Sequence, residues 1–483
     1  MVRGGSNLRK KIIIIGAGIS GLSAGCYGQM NGYETEMFEM QSTPGGLCTS
    51  WNRKGYLMDG CIDWLIGSNP DNYLHDFWSE LGAFDNIELI HHDYVIHVED
   101  GSGKRLILYS DVDKLENHLI ELSPADSSLI MEFTDAIRKC AFFSKTTNTV
   151  FNNKFNDMTM HDFLQQFKDP FLREALSVCL LPLDSKDYRV GGLIFRLSFY
   201  NRKDACWPIG GSLAFSKGIE KKYISLNGKI HYRARVDEII VKDNKAIGIR
   251  LSDGSEHYAD YILSTADGYK TIFDLLQGKY VDNEIDLLYS NRKPLPTSMQ
   301  VSLGIDCDLS DQPYNMAIKL DNPLIAGNTA NTYLFFKHFC YDHIISNSGK
   351  SVITSIIRTD YEYWETLYKN TEMYMLEKEK ICMEFIKIIE GRFPQIKGKI
   401  QVADVATPVT YYRYTGVWQG SYMGWWASSG KTIPSVLPGL KNFYMAGQWT
   451  QPSGGIPTSM MSGRGCINQM CMDDGKEFQV CVK

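Results

Sequence analysis

The segment 11–46 constrains the fold of this chain more than any other part of it. Four isoleucines lead into Gly16-Ala17-Gly18-Ile19-Ser20-Gly21 and a run of small residues, and Glu39 follows roughly 20 residues after the glycines. We predict a buried strand that turns sharply into a helix whose first N–H groups face outward. In such a turn Gly16 permits the bend, Gly18 lets a pyrophosphate approach the backbone, and Gly21 lets helix and strand pack closely.

This combination predicts a dinucleotide site in which the carboxylate of Glu39 accepts a ribose hydroxyl. An ordinary Rossmann-like turn that binds nothing is the alternative. Glu39 alone suits NAD and FAD equally. The pair Gly45-Gly46 lets backbone pass close to a flat ring system, and this extended pattern resembles that of flavoproteins. We therefore predict FAD.

The composition is that of an ordinary soluble protein, with 44% hydrophobic and 22% charged residues. At 483 residues the chain is long enough for two domains or one large discontinuous pair. A net charge of −6 without a Lys/Arg run disfavours nucleic acid as a partner. No stretch of about 18 apolar residues exists, so no membrane span is expected, whereas peripheral membrane contact stays open.

The twelve cysteines are scattered, and the nearest two, Cys466 and Cys471, are five positions apart. That spacing fits neither a zinc site nor a thioredoxin-type redox pair. We therefore expect no metal site and buried, reduced thiols, which favour a cytoplasmic location. The apolar run near the N-terminus is too short for a signal peptide, and no cleavage site follows it.

Two later segments are predicted to return to the same sheet. Strands at 229–232, 235–241 and 246–251 are expected to form a meander that feeds a buried strand at 261–267 into the centre; an unrelated hairpin is the alternative. Near the C-terminus a strand at 440–445 precedes a glycine loop and a helix with small residues on one face. This is a second strand–loop–helix start, with a second set of outward N–H groups.

With these pieces in place, the chain resembles the FAD-dependent carotenoid desaturases, carotenoid isomerases and retinol saturases, within the wider amine-oxidase-like flavoproteins. The matching stretches, 12–46, 55–60, 207–212, 236–254 and 444–464, are spread along nearly the full length. The resemblance implies that the first segment holds the ADP half of FAD and the strand at Val236 meets the adenine. It also implies that the C-terminal glycine loop reaches the pyrophosphate and the flavin ring. The cofactor residues expected on this basis are Gly16, Gly18, Ile19, Ser20, Gly21, Glu39, Met40, Gly45, Gly46, Leu47, Val236, Ala266, Gly447, Gln448, Gly455 and Ile456.

Two features depart from the family pattern. Gln448 stands where the family often has an acid, although an amide can still hold a ribityl or phosphate oxygen. Cys61-Ile62-Asp63 follows Asp59-Gly60, where many relatives have glycine and proline. The wall of the site near the flavin is therefore left undefined by the sequence.

The fold class expected is α/β, with a Rossmann-like FAD-binding domain and a discontinuous α+β substrate domain that carries a mixed sheet. The FAD-binding domain is expected from 1–95, 206–270 and 435–483, and the substrate domain from 96–205 and 271–434. The first substrate segment is helical in pattern, with a Phe/Leu stripe over 163–176 that suits a core or, alternatively, a tunnel or membrane-facing wall. The second is predicted to mix strands at 298–305, 333–336 and 351–357 with a charged helix at 371–389.

The densest aromatic cluster lies at 411–426, just before the third FAD segment. A packed core is one interpretation. The other is a wall for a long apolar or conjugated substrate, to which the cluster would contribute Tyr412, Trp418, Trp425 and Trp426.

No set of catalytic acids and bases stands in a motif context, so the flavin is expected to carry the chemistry by hydride transfer at N5. Position alone nominates Asp59, Arg413 and Tyr422 as groups that exchange a proton with the substrate. No second glycine fingerprint for NAD(P)H is visible. The electron donor or acceptor and the oligomeric state are left open by the sequence.

The leading hypothesis is an enzyme that desaturates, saturates or isomerises carbon–carbon bonds of a hydrophobic small molecule, an isoprenoid or polyene lipid. An amine oxidase of the same fold is the second; such enzymes usually place a lysine over flavin N5. A non-catalytic lipid-binding escort is the third, and the intact glycines speak against it.

Overall fold

The computed structural model describes residues 9–147, 154–179, 188–290, 297–422, 424, 433–450 and 454–480. The strands in these residues are β1 (Lys11–Ile15), β2 (Glu34–Glu39), β3 (Ser50–Arg53), β4 (Tyr56–Asp59), β5 (Leu65–Ile66), β6 (Leu89–Ile90), β7 (Tyr94–Glu99), β8 (Arg105–Tyr109), β9 (Ala205–Pro208), β10 (Lys229–Tyr232), β11 (Val236–Lys242), β12 (Lys245–Leu251), β13 (Glu256–Tyr258), β14 (Tyr261–Ser264), β15 (Ser298–Ile305), β16 (Asn315–Ala326), β17 (Thr329–His338), β18 (Ser351–Arg358), β19 (Ile400–Ala406) and β20 (Phe443–Met445). The α-helices are α1 (Ile19–Met30), α2 (Tyr73–Glu80), α3 (Val112–Leu122), α4 (Ser127–Lys139), α5 (Met160–Leu164), α6 (Pro170–Val178), α7 (Val190–Asn201), α8 (Gly211–Ser225), α9 (Asn283–Ser290), α10 (Tyr361–Tyr368), α11 (Thr371–Arg392), α12 (Pro408–Thr415) and α13 (Ile456–Asp473).

A five-stranded parallel sheet forms the centre of the molecule, with strand order β10-β2-β1-β14-β20. Its strands come from three separate parts of the chain, as predicted. Ile12, Ile13 and Ile14 of β1 are fully buried. A central parallel strand is covered on both faces, which explains why β1 is apolar throughout rather than alternating.

The segment after β10 differs from the predicted meander. β10 pairs parallel with β2, whereas β11, β12 and β13 form an antiparallel sheet of their own. The chain leaves the central sheet at Arg233, whose φ is +58°. The turn expected between β11 and β12 is confirmed, since Asp243 and Asn244 have φ of +49° and +56°, as a tight hairpin requires.

Helices α1 and α13 pack against each other through a small-residue contact. A Cβ added at Gly463 of α13 would lie 2.2 Å from the Ser20 carbonyl oxygen of α1. The Ser23 hydroxyl of α1 donates to the Met460 carbonyl at 2.8 Å. This close approach sets the N-terminal ends of the two helices side by side.

A second, seven-stranded sheet has the order β19-β15-β18-β17-β16-β7-β8. The β16–β7 pair is parallel and the other pairs are antiparallel, so this is the mixed sheet that the sequence predicted. The strands β7 and β8 were missed, because 96–205 was expected to be helical; β7 also crosses the boundary placed at residue 95. Helices α10 and α11 cover one face of this sheet with buried Trp364 and Phe385.

Helices α2 to α8 pack into the main core. The Phe/Leu stripe belongs to this core, since Phe163, Leu164, Phe167, Phe171, Leu172 and Leu176 are all buried. The eleven cysteines in the described residues are free. Over the same residues, no helix is both long enough and apolar enough to cross a membrane.

Candidate cofactor site and substrate chamber

Four of the predicted cofactor segments meet at one edge of the central sheet. Gly16 follows β1, Glu39 ends β2, Ala266 lies just after β14, and Gly447 lies just after β20. Because the strands are parallel, their carboxyl ends share this edge. Ligands of open α/β sheets bind in the crevice at that position.

Two glycine segments run in direct contact along this edge. Gly18 and Gly45 form an isolated parallel β-bridge, and the Gly45 N–H donates to the Ala17 carbonyl at 2.8 Å. A Cβ at Gly21 would lie 2.1 Å from the Gly16 carbonyl oxygen, and one at Gly45 would lie 2.2 Å from the Cys48 carbonyl oxygen. The absence of a side chain at Gly21 and Gly45 is therefore a requirement of the protein's own packing.

Gly18 is a glycine for a different reason. Its φ is −69°, which any residue adopts, and a Cβ there would meet only the Gly45 carbonyl oxygen at 3.9 Å. Neither backbone strain nor packing inside the protein requires glycine at this position. A ligand group that approaches the backbone from outside the protein, as a pyrophosphate does, would explain why this position is a glycine.

Two helices begin at this edge without a side-chain cap. Gly18 precedes α1 and Gly455 precedes α13, and neither helix has a side-chain cap hydrogen bond. The Ser462 hydroxyl joins the two starts, since it lies 3.1 Å from the Ser20 hydroxyl and accepts the Gly447 N–H at 2.9 Å. Two positive helix ends and their N–H groups thus converge on one place, which suits an anion such as a pyrophosphate.

Glu39 lies at the end of β2 with only 6% of its surface exposed. Its carboxylate accepts the Ala17 N–H and the Gln41 N–H, each at 2.8 Å. Burial raises the pKa of Glu39, although these backbone donors partly offset the effect. The Ala234 N–H donates to the Glu39 carbonyl at 2.8 Å, which brings the start of β11 and Val236 to the same edge.

Gln448 connects the cofactor loop to the neighbouring wall. Its side-chain amide donates to the Tyr422 carbonyl at 3.1 Å, and its side-chain oxygen accepts the Gly455 N–H at 3.2 Å. An ionised acid cannot donate to a carbonyl. The amide at this position is therefore explained by the contact with Tyr422, and the departure from the family pattern has a physical reason.

Asp59 is fully buried, which corrects the expectation that it reaches the substrate. Its carboxylate accepts the Ser50 hydroxyl at 2.6 Å, the Ser212 N–H at 2.7 Å and the Ser212 hydroxyl at 2.8 Å. These bonds tie β3 and β4 to the start of α8. Burial raises the pKa of Asp59, and the same donors act against the rise.

Beside the cofactor edge, several side chains are surrounded by protein and yet partly accessible. Asp63 exposes 49% of its side chain, and Cys61, Tyr341, Tyr411 and Tyr422 are each partly exposed. Burial is nevertheless the largest influence on the pKa of Asp63, and it raises the pKa of all three phenols. On an open surface, water would remove that influence. The five side chains are also neighbours, since the ring centres of Tyr411 and Tyr422 are 6.3 Å apart, Asp63 acts on the pKa of Tyr341 and Tyr422, and Cys61 acts on that of Tyr411. We infer that they line an internal space, called the chamber below.

The chamber touches both cofactor loops. Tyr422 is bonded through Gln448 to Gly455, as described. On the other side, the thiol of Cys48 lies beside Cys61. The contact with Cys48 is the largest cause of the raised pKa of Cys61, and burial is the second. The Cys48 N–H donates to the Gly45 carbonyl at 3.0 Å. Tyr422 and Cys61 are thus each connected to a glycine loop through one intermediate residue.

Charged side chains form part of the chamber wall. Arg196 of α7 donates to the Asp63 carboxylate at 2.6 Å, and Lys337 of β17 donates to the Ile62 carbonyl at 2.8 Å. The Lys337 nitrogen lies 4.0 Å from the Asp63 carboxylate and 5.1 Å from the centre of the Trp207 ring. Burial acts to raise the pKa of Asp63, but the charges of Arg196 and Lys337 outweigh it, and the pKa is lowered.

A buried glutamine supports the phenol of Tyr411. The Gln300 side-chain oxygen lies 3.4 Å from the Tyr411 hydroxyl, and its amide donates to the Ser302 hydroxyl at 3.0 Å. The same side chain lies so close to Gly60 that a Cβ added there would be 1.8 Å from the Gln300 side-chain oxygen. Gln300 was not predicted from the sequence, although a polar amide inside the apolar strand β15 was a usable signal. Arg196 and Lys337 were not predicted either, because they lie in segments without a motif.

The predicted aromatic wall is only partly in place. Tyr412 is 41% exposed and packs on Tyr361, and Arg413 is exposed with its guanidinium 5.3 Å from the ring centre of Tyr368. These positions correct two expectations, that Tyr412 lines the substrate and that Arg413 exchanges a proton with it. Both residues follow Tyr411 on α12, and neighbouring positions on a helix face different directions.

Trp418 stacks on Tyr269 at 5.3 Å in the core beside the central sheet. The predicted residues Trp425 and Trp426 lie outside the described part of the chain.

Comparison with known proteins places this geometry in a family. The model for flavin-containing amine oxidoreductases matches residues 19–468. Prolycopene isomerase of Daucus carota is 21% identical to this chain, over 96% of this chain and 80% of its own length. The 4,4'-diaponeurosporene oxygenase of Staphylococcus aureus is also 21% identical, over 95% and 97%. An oxidoreductase structure from Methanosarcina mazei superimposes with a TM-score of 0.62 at 18% identity, covering 95% of this chain and 100% of its own.

The chain belongs to the flavin-containing amine oxidoreductase family, and its cofactor is FAD. The carotenoid-modifying relatives agree with the resemblance seen in the sequence. The residues at the sheet edge fit this cofactor. Gly18 would leave room for the pyrophosphate, the starts of α1 and α13 would supply N–H donors to it, and Glu39 would meet the ribose.

Proposed function

We propose that this protein is an FAD-dependent oxidoreductase that acts on carbon–carbon bonds of a hydrophobic isoprenoid or polyene lipid. The observation that carries the proposal is the chamber, which begins where the two glycine loops converge and which has aromatic walls. Tyr341 and Tyr422 lie in its wall, and Trp64 stacks on Tyr200 nearby at 6.0 Å. Aromatic faces suit a flat conjugated chain. The carotenoid-modifying relatives support the same substrate class.

When bound, FAD supplies hydride transfer at its N5 atom. The protein's own part is to orient the substrate, exclude water and manage a proton. Tyr422 is the residue that we propose for the proton transfer, and its position in the chamber wall and the bond from Gln448 to its backbone support this role. Burial raises the pKa of Tyr422, so its phenol stays protonated at neutral pH and is able to donate.

The test is an anaerobic titration of the purified yellow protein with a conjugated polyene, followed by the flavin absorbance. Bleaching of the oxidised protein supports desaturation, and reoxidation of the dithionite-reduced protein supports saturation. A change in the polyene spectrum at constant flavin oxidation state supports isomerisation. A flavin spectrum and a polyene spectrum that both stay unchanged contradict the proposal.

Amine oxidation is the second candidate, favoured by the family and by the presence of Lys337 in the chamber. Two observations weigh against it. The Lys337 nitrogen is already bonded to the Ile62 carbonyl, and the only carboxylate that faces the chamber among the described residues, Asp63, is paired with Arg196. A cationic amine would meet two fixed positive charges there. Release of hydrogen peroxide on addition of putrescine or a benzylic amine would favour this second function.

A further inference from the structure

The charged residues of the chamber are unusual for a site that takes only a hydrocarbon. Lys337 exposes 13% and Arg196 exposes 18% of its side chain, so both are mostly withdrawn from solvent. Charges are rarely enclosed unless they are paired or bind something charged. Asp63 is one carboxylate between two cations, and among the described residues it is at hydrogen-bond distance from Arg196 alone.

The donors of this cluster exceed its acceptors. A guanidinium and an ammonium present several N–H groups each. Within the described residues, the Arg196 Nε has no hydrogen-bond partner, and the Lys337 nitrogen donates to the Ile62 carbonyl. The Tyr200 hydroxyl is a further hydrogen-bond partner of Arg196, but burial raises the pKa of this phenol, so it stays neutral. The cluster therefore has two cations against one carboxylate, and the Arg196 Nε–H is left without an acceptor.

The other titratable groups nearby do not supply that acceptor. Asp342 is fully buried and accepts the Trp207 indole N–H and the Gly210 N–H, each at 2.8 Å, and the N–H groups of Ile344 and Ile345. Burial lowers the pKa of His92 to about 4, so this imidazole is neutral at physiological pH and adds no charge. Asp59 is saturated by Ser50 and Ser212.

We propose that the substrate is an acid: a largely apolar, conjugated molecule whose carboxylate is bound by Lys337 and Arg196, in competition with the carboxylate of Asp63. This inference rests on the proposed function and specifies its substrate class. The apolar part of such a molecule lies against the aromatic walls, and the carboxylate supplies the second negative charge and an acceptor for the unpaired Arg196 Nε–H. Charge-assisted bonds of this kind are stronger than neutral ones.

The experiment compares two probes with the same polyene chain, all-trans-retinoic acid and its methyl ester, by calorimetric titration of the flavin-loaded protein. The wild type is expected to bind the acid at least about tenfold more tightly than the ester. Lys337→Met keeps the length of the side chain and removes the charge. It should abolish this preference and leave the affinity for the ester within about twofold.

Lys350→Met is the matched control, because the Lys350 nitrogen also lies over a ring, 5.2 Å from the centre of Tyr56, but outside the chamber. It should leave the preference unchanged. Asp63→Asn gives an independent readout: it removes a carboxylate that competes with the ligand, so the affinity for the acid should rise by at least about threefold. Flavin content and thermal midpoint show that each variant is folded.

The outcomes separate the two proposals. If the ester binds as tightly as the acid and both perturb the flavin spectrum, the carboxylate inference is wrong and the proposed function stands. A preference for the acid that survives in Lys337→Met, or a loss of acid binding in Asp63→Asn, also overturns the inference. If neither probe binds or perturbs the flavin, both proposals fail.

Discussion

Gly18→Ala should remove FAD without damaging the fold. The new Cβ would meet nothing closer than the Gly45 carbonyl oxygen at 3.9 Å, and φ of −69° is acceptable for alanine. The apoprotein should therefore change its free energy of unfolding by no more than about 1 kcal/mol, the scale of a lost glycine cap. The same Cβ would stand where the pyrophosphate approaches the backbone, so FAD affinity should fall at least about tenfold, which corresponds to about 1.4 kcal/mol.

Gly21→Ala is the matched control at the other end of the same turn. Its Cβ would lie 2.1 Å from the Gly16 carbonyl oxygen and 3.1 Å from the Gly16 carbonyl carbon, both backbone atoms that cannot rotate away. The helix propensity of alanine contributes at most about 1 kcal/mol, whereas overpacking of this kind costs about 1–3 kcal/mol or more. This variant should lose stability even as the apoprotein.

The assay has two parts. FAD affinity is measured by calorimetry on protein stripped of flavin, and apoprotein stability is measured by thermal circular dichroism. Gly18→Ala should lower FAD affinity and spare apoprotein stability, whereas Gly21→Ala should lower apoprotein stability. Wild-type FAD affinity in Gly18→Ala would refute the assignment of the pyrophosphate to this backbone.

Three further perturbations test the surrounding residues. Asp59→Asn should lower the free energy of unfolding by about 1–3 kcal/mol, because an amide cannot accept all three hydrogen bonds that the carboxylate accepts. Turnover per bound FAD should stay unchanged, and a selective loss of turnover would restore Asp59 as a catalytic residue. Tyr422→Phe should lower kcat about 100-fold at unchanged flavin content if the phenol supplies the proton, and steady-state kinetics at wild-type rate would exclude it. Burial raises the pKa of Asp267 to about 6, above the unfolded value of about 3.9, so its native state binds the extra proton and stability falls as pH rises from 4 through 6. Relative to Asp267→Asn, chemical denaturation should show the wild type losing about 2–3 kcal/mol over that range, and a flat difference would contradict the sign.

The cofactor half of the molecule was predictable because local patterns determine it. The isoleucine strand, the turn at Gly16 and the strand before Gly447 each carry their own signature, and the central sheet joins them as expected. Glycine at Gly18 was assigned to a ligand from sequence spacing alone, and the open surroundings of its Cβ agree with that interpretation.

The chamber was not predictable in the same way. Asp63, Arg196 and Lys337 come from three distant segments, and they meet only because β17 and α7 pack on the loop after β4. No spacing rule connects positions so far apart. The direction in which α12 faces was equally hidden, since the helix phase that turns Tyr411 inward and Arg413 outward depends on where the helix begins.

The sheet topology also has a consequence for biosynthesis. β20 and α13 are synthesised more than 400 residues after β1, and they complete the sheet that β1 begins. A chain truncated before β20 lacks the strand before Gly447 and the start of α13, so it should purify without flavin. FAD binding is therefore expected to follow the synthesis of this segment.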